Sequence, residues 1–128
     1  MPGTEDIRFG PGPLKGLRVL VAEDNSITAE HLGLILEEEG ARLLGPCRSV
    51  ADALELLRCR EVQFVLIDLG LADNFADALI CDAKARNIPF AILTGFTALP
   101  TNAYDDAVAV LRKPLQRKRL LDTLRRFA

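Results

Sequence analysis

Three carboxylates stand directly after apolar segments of the chain. Glu23 and Asp24 follow residues 17–22, and Asp68 follows residues 64–67. Two ionised carboxylates about 4 Å apart repel each other by about 4 kcal/mol at an effective dielectric constant of 20. If the fold brings all three together, they need either protonation or a bound cation. Mg²⁺ suits such a site, because this hard cation binds a few carboxylates together with waters and phosphate oxygens.

Two further polar side chains end later apolar segments. Thr94 follows residues 90–93, and Lys113 lies just after residues 108–111. Lysine supplies a compact positive charge for a phosphoryl oxygen, and threonine supplies a hydroxyl donor. Phosphoryl transfer depends on positioning and charge neutralisation, which is what acids, a metal, a hydroxyl and a lysine provide. Each residue alone is consistent with an ordinary helix cap or turn, so only the combination predicts this chemistry.

An alternation of apolar and amphipathic segments must position these residues. Segments with strand character are separated by segments with helical spacing, and the strand-like ones cover residues 17–22, 41–45, 64–67, 89–93 and 108–111. This alternation predicts a parallel sheet with helices on both faces, connected by right-handed crossovers. Ligands of such open sheets bind beyond the carboxyl ends of the strands. All the candidate residues are expected at that edge.

Residues that can cap helices precede three of the helical segments: Asn25 or Ser26, Ser49, and Asn74. The third helix is expected to reach about Arg86, and a weak helical stretch is expected at residues 102–106. Pro114 is expected to set the backbone at the start of the last helix. That helix presents an apolar stripe made of Leu120, Leu121, Leu124 and Phe127.

Composition bounds the remaining possibilities. A chain of 128 residues with 49% hydrophobic residues and a net charge of -2 predicts one globular domain without a general affinity for nucleic acid. Residues 1–14 are rich in glycine and proline and are predicted to be a flexible leader, with the domain at residues 15–128. No apolar run is long enough to span a membrane. The three cysteines are expected to be reduced and mostly buried, which favours a cytoplasmic location. The single histidine, His31, is expected to be structural.

The motifs "VLVAEDNS", "FVLIDLGL", "AILTG" and "LRKPL" resemble those of response-regulator receiver domains, from about residue 17 to the end. The resemblance implies a flavodoxin-like (βα)5 doubly wound sheet of strand order 2-1-3-4-5. It also implies that Asp68 accepts a phosphoryl group, and that Thr94 and Lys113 bind the phosphoryl oxygens. Mg²⁺ would be held by a set of four groups: Glu23, Asp24, Asp68 and the backbone carbonyl of Gly70.

The sequence departs from the family pattern in several places. Ala72 and Ala76 stand where the family usually has a proline and a glycine, and Val110 occupies the position of its aromatic switch residue. The stretch between Thr94 and Lys113 is short, which predicts a reduced fourth helix. Phe90 and the "TGF" motif resemble a subgroup with an F-x-x-x-T-G-aromatic signature, which is associated with HWE-type histidine kinases.

The resemblance implies a two-component phosphorelay protein. The phosphoryl donor would be a histidine kinase or a histidine phosphotransfer protein, and the output would be binding to a downstream protein or drainage of phosphate. A pseudo-receiver that works without phosphorylation is one alternative. An aspartyl phosphatase is another, although such enzymes place a second aspartate where Gly70 stands. A flavin module is disfavoured, because Glu23 and Asp24 would repel its phosphate.

The Lys113–Pro114 peptide bond is predicted to be cis. The fifth strand must release its lysine toward the site and then turn at once toward a helix. A cis bond before proline makes such a tight reversal, and the family resemblance agrees.

Phe96 is predicted to relay phosphorylation, because Val110 is too small to act as a rotating lever and Phe96 lies close to Thr94. The alternative is that Phe96 is a plain core or loop-anchoring residue. We expect residues 97–107 to be the most mobile part of the domain and to become ordered on phosphorylation. NMR of the unmodified and phosphoryl-mimic forms, in wild type and Phe96→Ala, tests this. The relay fails if residues 95–107 are rigid in both forms, or if Phe96→Ala leaves the phosphorylation-induced shifts unchanged.

Overall fold

The computed structural model describes residues 12–70, 76–95 and 105–128. These residues form one sheet with strands β1 (Arg18–Ala22), β2 (Arg42–Cys47), β3 (Phe64–Asp68), β4 (Phe90–Thr94) and β5 (Ala109–Arg112). The described helices are α1 (Ser26–Glu38), α2 (Val50–Cys59), α3 (Ala76–Ala85) and α4 (Arg117–Arg125). All paired strands are parallel, in the order β2-β1-β3-β4-β5. The predicted flavodoxin-like sheet is confirmed. The predicted helix at residues 102–106 lies mostly outside the described residues.

Helices cover both faces of the sheet. Alternate strand residues contribute to two apolar clusters, one packed against α1 and α4 and the other against α2 and α3. The central strands β3 and β4 are therefore buried along their whole length, which explains their nearly continuous apolar sequence. The apolar stripe predicted for α4 is also confirmed, with Leu120, Leu121 and Leu124 buried and Phe127 packed against the same cluster.

The folded domain begins earlier than the predicted boundary at residue 15. Leu14 is 0% exposed and belongs to the cluster beneath α1 and α4. Its backbone N–H donates to the carbonyl of Glu39 at 3.0 Å. Leu14 is therefore a core residue, although it belongs to the segment that we predicted to be a flexible leader. The preceding residues 1–11 lie outside the described part of the chain.

Two predicted helix caps are confirmed, whereas the predicted role of Pro114 at the start of the last helix is wrong. The side chains of Asn25 and Ser49 accept hydrogen bonds from the N–H groups of Thr28 and Asp52, respectively. Pro114 does not start the last helix, because α4 begins at Arg117 after the N-cap Gln116. The predicted cap Asn74 lies outside the described residues.

The Lys113–Pro114 bond is cis, as predicted, and a second cis bond joins Gly45 to Pro46. The second one lies in β2 beside a register irregularity in its pairing with β1. Gly45 has a φ of 97°, and a Cβ there would lie 2.7 Å from the backbone nitrogen of Cys47. Only glycine fits this bulge without distortion. The strand therefore extends beyond residue 45, where the sequence predicted its end.

The cysteines and the single histidine differ in how well they match the predictions. Cys47 is buried, but Cys59 and Cys81 are exposed, so the prediction of mostly buried thiols is wrong. Both lie on the outer faces of helices rather than in the apolar clusters. His31 lies in α1, as its helical spacing indicated, and is exposed. Among the described residues, no helix is long and apolar enough to cross a membrane.

Leu14→Ala is expected to lower the free energy of unfolding by about 2–5 kcal/mol, because it removes a buried leucine and leaves a cavity. Leu34→Ala is the matched control. Leu34 is 58% exposed on α1, and its truncation should cost less than about 1 kcal/mol. Urea unfolding of both variants tests the difference. Equal midpoints for the two variants would show that Leu14 does not belong to the cooperative core.

Candidate metal-binding site

The ends of β1 and β3 bring three carboxylates together. The two strands pair up to the contact of Ala22 with Ile67, so that the residues that follow them are also neighbours. Each of Glu23, Asp24 and Asp68 offers a carboxylate oxygen, and these oxygens all lie within 4.8 Å of one another. The predicted acidic cluster therefore exists at the carboxyl edge of the sheet. Glu23 and Asp68 are 1% and 4% exposed, whereas Asp24 is half-buried.

Lys113 reaches this cluster from β5, which lies two strands away from β3. Its Nζ is 2.9 Å from Glu23 Oε1 and 3.3 Å from Asp68 Oδ2. The intervening strand β4 supports this reach, because the backbone N–H of Lys113 donates to the carbonyl of Thr94 at 2.8 Å. The lysine thus makes ion pairs with two carboxylates that are far from it in sequence.

Thr94 ends β4 between the phosphoacceptor candidate and the lysine. Its side chain is almost fully buried, and β4 pairs with both β3 and β5. The structure therefore places all the predicted side chains at one edge of the sheet.

Two backbone amides hold the buried carboxylates in place. The N–H of Gly70 donates to Asp68 Oδ1 at 3.0 Å, and the N–H of Asn25 donates to Glu23 Oε2 at 3.1 Å. Both donors lie two residues after the acid, which is the spacing of a local side-chain-to-backbone turn. These two amides were not predicted from the sequence, although each lies two residues after its acid. The carbonyl of Gly70, predicted as a metal ligand, stays a prediction.

The environment of Glu23 favours its protonated form. Burial is the largest cause, and the facing Asp68 acts in the same direction, so that the pKa of Glu23 rises from 4.5 to about 7. Lys113 and the amide of Asn25 oppose this rise. Burial lowers the pKa of Lys113, but the two facing carboxylates outweigh it and hold the lysine pKa above its ordinary value. The site therefore has more negative charge than its single lysine balances.

These residues fit a divalent cation. Glu23 Oε1 is fully buried and faces Lys113 without an aligned hydrogen bond, so it retains lone pairs for another partner. Asp24 supplies a second, more accessible carboxylate beside it. An all-oxygen donor set with partial solvent access is what Mg²⁺ prefers. His31, which is exposed on α1, is not part of the cluster.

Glu23→Gln is expected to raise the free energy of unfolding by about 2 kcal/mol at about pH 8 in the presence of chelator. One pKa unit is worth about 1.4 kcal/mol, and the loss of the ion pair with Lys113 offsets part of the gain. The pKa of Glu23 is about 7 in the folded state and 4.5 ordinarily, so its contribution to stability is fully present below 4.5. That contribution is lost as the pH rises through 7, and glutamine mimics the protonated form that supplies it.

Urea unfolding between about pH 5 and pH 8 with chelator measures this effect as the difference between variant and wild type. Glu30→Gln, at an exposed position of α1, is the control and should follow the wild-type curve. A Glu23→Gln curve with the same pH dependence as wild type would contradict the raised pKa.

No model of a known protein family matches the chain. Among curated proteins, it is 28% identical over 115 residues to "Sensory transduction protein LytT" of Bacillus anthracis, covering 87% of this chain and 47% of that protein. It is 33% identical over 101 residues to "Transcriptional regulatory protein PdtaR" of Mycobacterium tuberculosis, covering 76% of this chain and 49% of that protein. The chain thus spans about half the length of the curated relatives that it matches.

A solved structure of a receiver domain has the same fold as this chain. The chain superposes on the CheY-like response regulator receiver domain protein from Methanospirillum hungatei JF-1 with a TM-score of 0.77 and 21% identity. The match covers 88% of this chain and 93% of that one. At 21% identity the structural match shows only that the two chains share a fold. The curated relatives show, in addition, that the chain is similar in sequence to response regulators. Together they show that this chain is a CheY-like receiver domain of the response-regulator family.

Proposed function

We propose that this receiver domain takes a phosphoryl group on Asp68 in a two-component phosphorelay, with Mg²⁺ as cofactor. The observation that carries the proposal is the position of Lys113 Nζ, within 3.3 Å of Asp68 Oδ2 at the edge of a three-carboxylate cluster. A cation fixed beside a nucleophilic carboxylate neutralises the charge that an incoming phosphoryl group brings. The proposed donor is a histidine kinase, of which the HWE type is one candidate, or a histidine phosphotransfer protein.

The two oxygens of Asp68 have different surroundings. Oδ1 accepts the amide of Gly70, whereas Oδ2 faces Lys113. The amide fixes the orientation of the carboxylate, and fixed orientation lowers the entropic cost of attack. In the proposed step a carboxylate oxygen forms a bond to phosphorus while the P–N bond of phosphohistidine breaks. The departing nitrogen keeps the electron pair, and the other ring nitrogen of phosphohistidine carries a proton in the reacting form, so that neutral imidazole leaves.

The remaining residues have complementary roles in this proposal. Glu23, Asp24, Asp68 and the carbonyl of Gly70 hold Mg²⁺, which supplies charge neutralisation and orients the phosphoryl oxygens when it is bound. Lys113 and the hydroxyl of Thr94 bind the phosphoryl oxygens. Asp24, the most exposed of the acids, is the proposed direct ligand, and Glu23 acts largely through water.

Two alternatives are weaker. A pseudo-receiver has no need for the complete set of acids, hydroxyl and lysine, and this chain holds the whole set at one edge. An aspartyl phosphatase needs an acid–base carboxylate two residues after the nucleophile, but Gly70 is there. The proposed domain therefore catalyses only its own phosphorylation and dephosphorylation. The proposed output is binding to a downstream protein or drainage of phosphate, in the cytoplasm.

Wild type incubated with acetyl phosphate and Mg²⁺ is expected to gain the mass of one phosphoryl group, because the site supplies a nucleophile and neutralises charge. Intact-mass spectrometry measures this gain. Asp68→Asn should abolish labelling, and excess chelator should suppress it in wild type. Asp77→Asn, at an exposed position of α3, is the matched control and should label like wild type. Labelling of Asp68→Asn equal to that of wild type would exclude Asp68 as the phosphoacceptor, and labelling unaffected by chelator would exclude the metal.

A further inference from the structure

The amino edge of the sheet, opposite the acidic cluster, has a cleft lined by arginines. Arg18, Arg42 and Arg60 line it together with Glu61, Leu43 and Leu44, and its volume is about 290 Å³. Arg18 and Arg42 begin β1 and β2, while Arg60 and Glu61 connect α2 to β3. The cleft lies about 17 Å from the carboxylates, since β1 rises about 3.3 Å per residue. It shares no residue with the site described above.

The strand register forces two of these arginines together. Arg18 and Arg42 are direct partners in the parallel pairing of β1 with β2. Neighbouring strands are about 4.8 Å apart, and partner residues project to the same face. The residues that follow Arg18 and Arg42 in each strand show to which face of the sheet the two arginines project. Val19 and Leu43 contact the cluster on one side, so Arg18 and Arg42 project toward the other side, where α2 packs.

The carboxylates nearby do not balance these charges. Arg18 forms an ion pair with Glu61 at 3.1 Å, and the Glu61 side chain is 77% exposed. Neither Arg42 nor Arg60 forms an ion pair with a carboxylate among the described residues. Two of the three arginines in the cleft therefore have no carboxylate partner in the described part of the chain, whose full sequence has a net charge of -2. Elsewhere on this surface, arginines such as Arg58 and Arg86 have a carboxylate partner in their own helix turn.

The chemistry of the cleft selects one class of ligand. A guanidinium group binds oxyanions through a planar fork of N–H donors, which matches two oxygens of a phosphate. In this cleft the guanidinium groups of Arg42 and Arg60 have no carboxylate partner among the described residues, and that of Arg18 is only partly neutralised by Glu61. Three such groups suit a multiply charged phosphate better than a single carboxylate. Leu44, which projects to the same face of β2 as Arg42, supplies a partly buried apolar wall beside the charges.

We propose that the cleft formed by Arg18, Arg42 and Arg60 is a binding site for a phosphate-type oxyanion, separate from the site of Asp68. Glu61 competes with the ligand, because it already occupies the guanidinium of Arg18. This site does not depend on the proposed phosphorylation of Asp68, since no residue is common to the two.

A titration of ¹⁵N-labelled wild type with inorganic pyrophosphate in excess chelator tests the site by NMR. We expect saturable shifts centred on the amides of Arg42, Leu43, Leu44 and Glu61. Arg42→Gln or Arg60→Gln should weaken binding about tenfold, as expected for loss of a charge-assisted contact worth about 1.4 kcal/mol. Glu61→Gln should strengthen binding about threefold, because it removes the internal competitor.

Arg58→Gln is the matched control. It removes the same charge from α2, but Arg58 is paired with Glu55 and does not line the cleft. Its affinity should stay within about twofold of wild type. The proposal is wrong if Arg42→Gln and Arg60→Gln behave like this control, or if sodium chloride at equal ionic strength produces the same shifts. It is also wrong in its ligand class if citrate binds as tightly as pyrophosphate.

Discussion

The crowding of negative charge at the carboxyl edge of the sheet is the constraint on which the site depends. A parallel sheet delivers the ends of β1 and β3 to one place, and in this chain both ends are acidic. Burial makes the crowding more costly, because it removes water that would screen the carboxylates. Burial, and to a lesser degree the facing Asp68, therefore raises the pKa of Glu23. Among the described residues, Lys113 and two backbone amides reduce this cost.

A lysine side chain and two backbone amides offset part of the negative charge. Lys113 crosses over β4 to contact two of the acids, and the carbonyl of Thr94 holds its backbone in position. The amides of Asn25 and Gly70 each donate to one buried carboxylate. These fixed donors do not neutralise the full charge, which leaves an acidic cluster that is able to bind a metal ion. The same arrangement that makes the crowded carboxylates unfavourable also supports the proposed binding of a metal ion and a phosphoryl group at this edge.

Parallel strands give the sheet two chemically different edges. The carboxyl edge gathers acids, whereas the amino edges of β1 and β2 gather arginines. Strand β1 has Arg18 at one end and is followed by Glu23 at the other, and its middle residues lie in both apolar clusters. Its fully buried centre separates the two charged edges. Opposite charges on one short strand can thus serve separate sites without neutralising each other.

Much of this architecture could be predicted from local sequence. Strand positions follow from apolar runs such as residues 64–67, and the caps Asn25 and Ser49 follow from short polar side chains before helical spacing. Once the strands are parallel, the residues that follow them must meet at one edge. The acids, threonine and lysine were therefore predictable as a set, because each depends only on its place at the end of a strand.

The tertiary structure decided what depends on contacts between distant segments. Leu14 is buried because the α1–β2 turn and α4 enclose it, although its own neighbours are typical of a leader. The bulge at Gly45 exists because β2 must pair with β1 there. Register likewise brings Arg42 beside Arg18, and burial raises the pKa of Glu23. The sequence by itself determined which residue types stand at the ends of the strands. Only packing between remote segments determined their burial, charge state and partners, because those depend on neighbours that the local sequence does not contain.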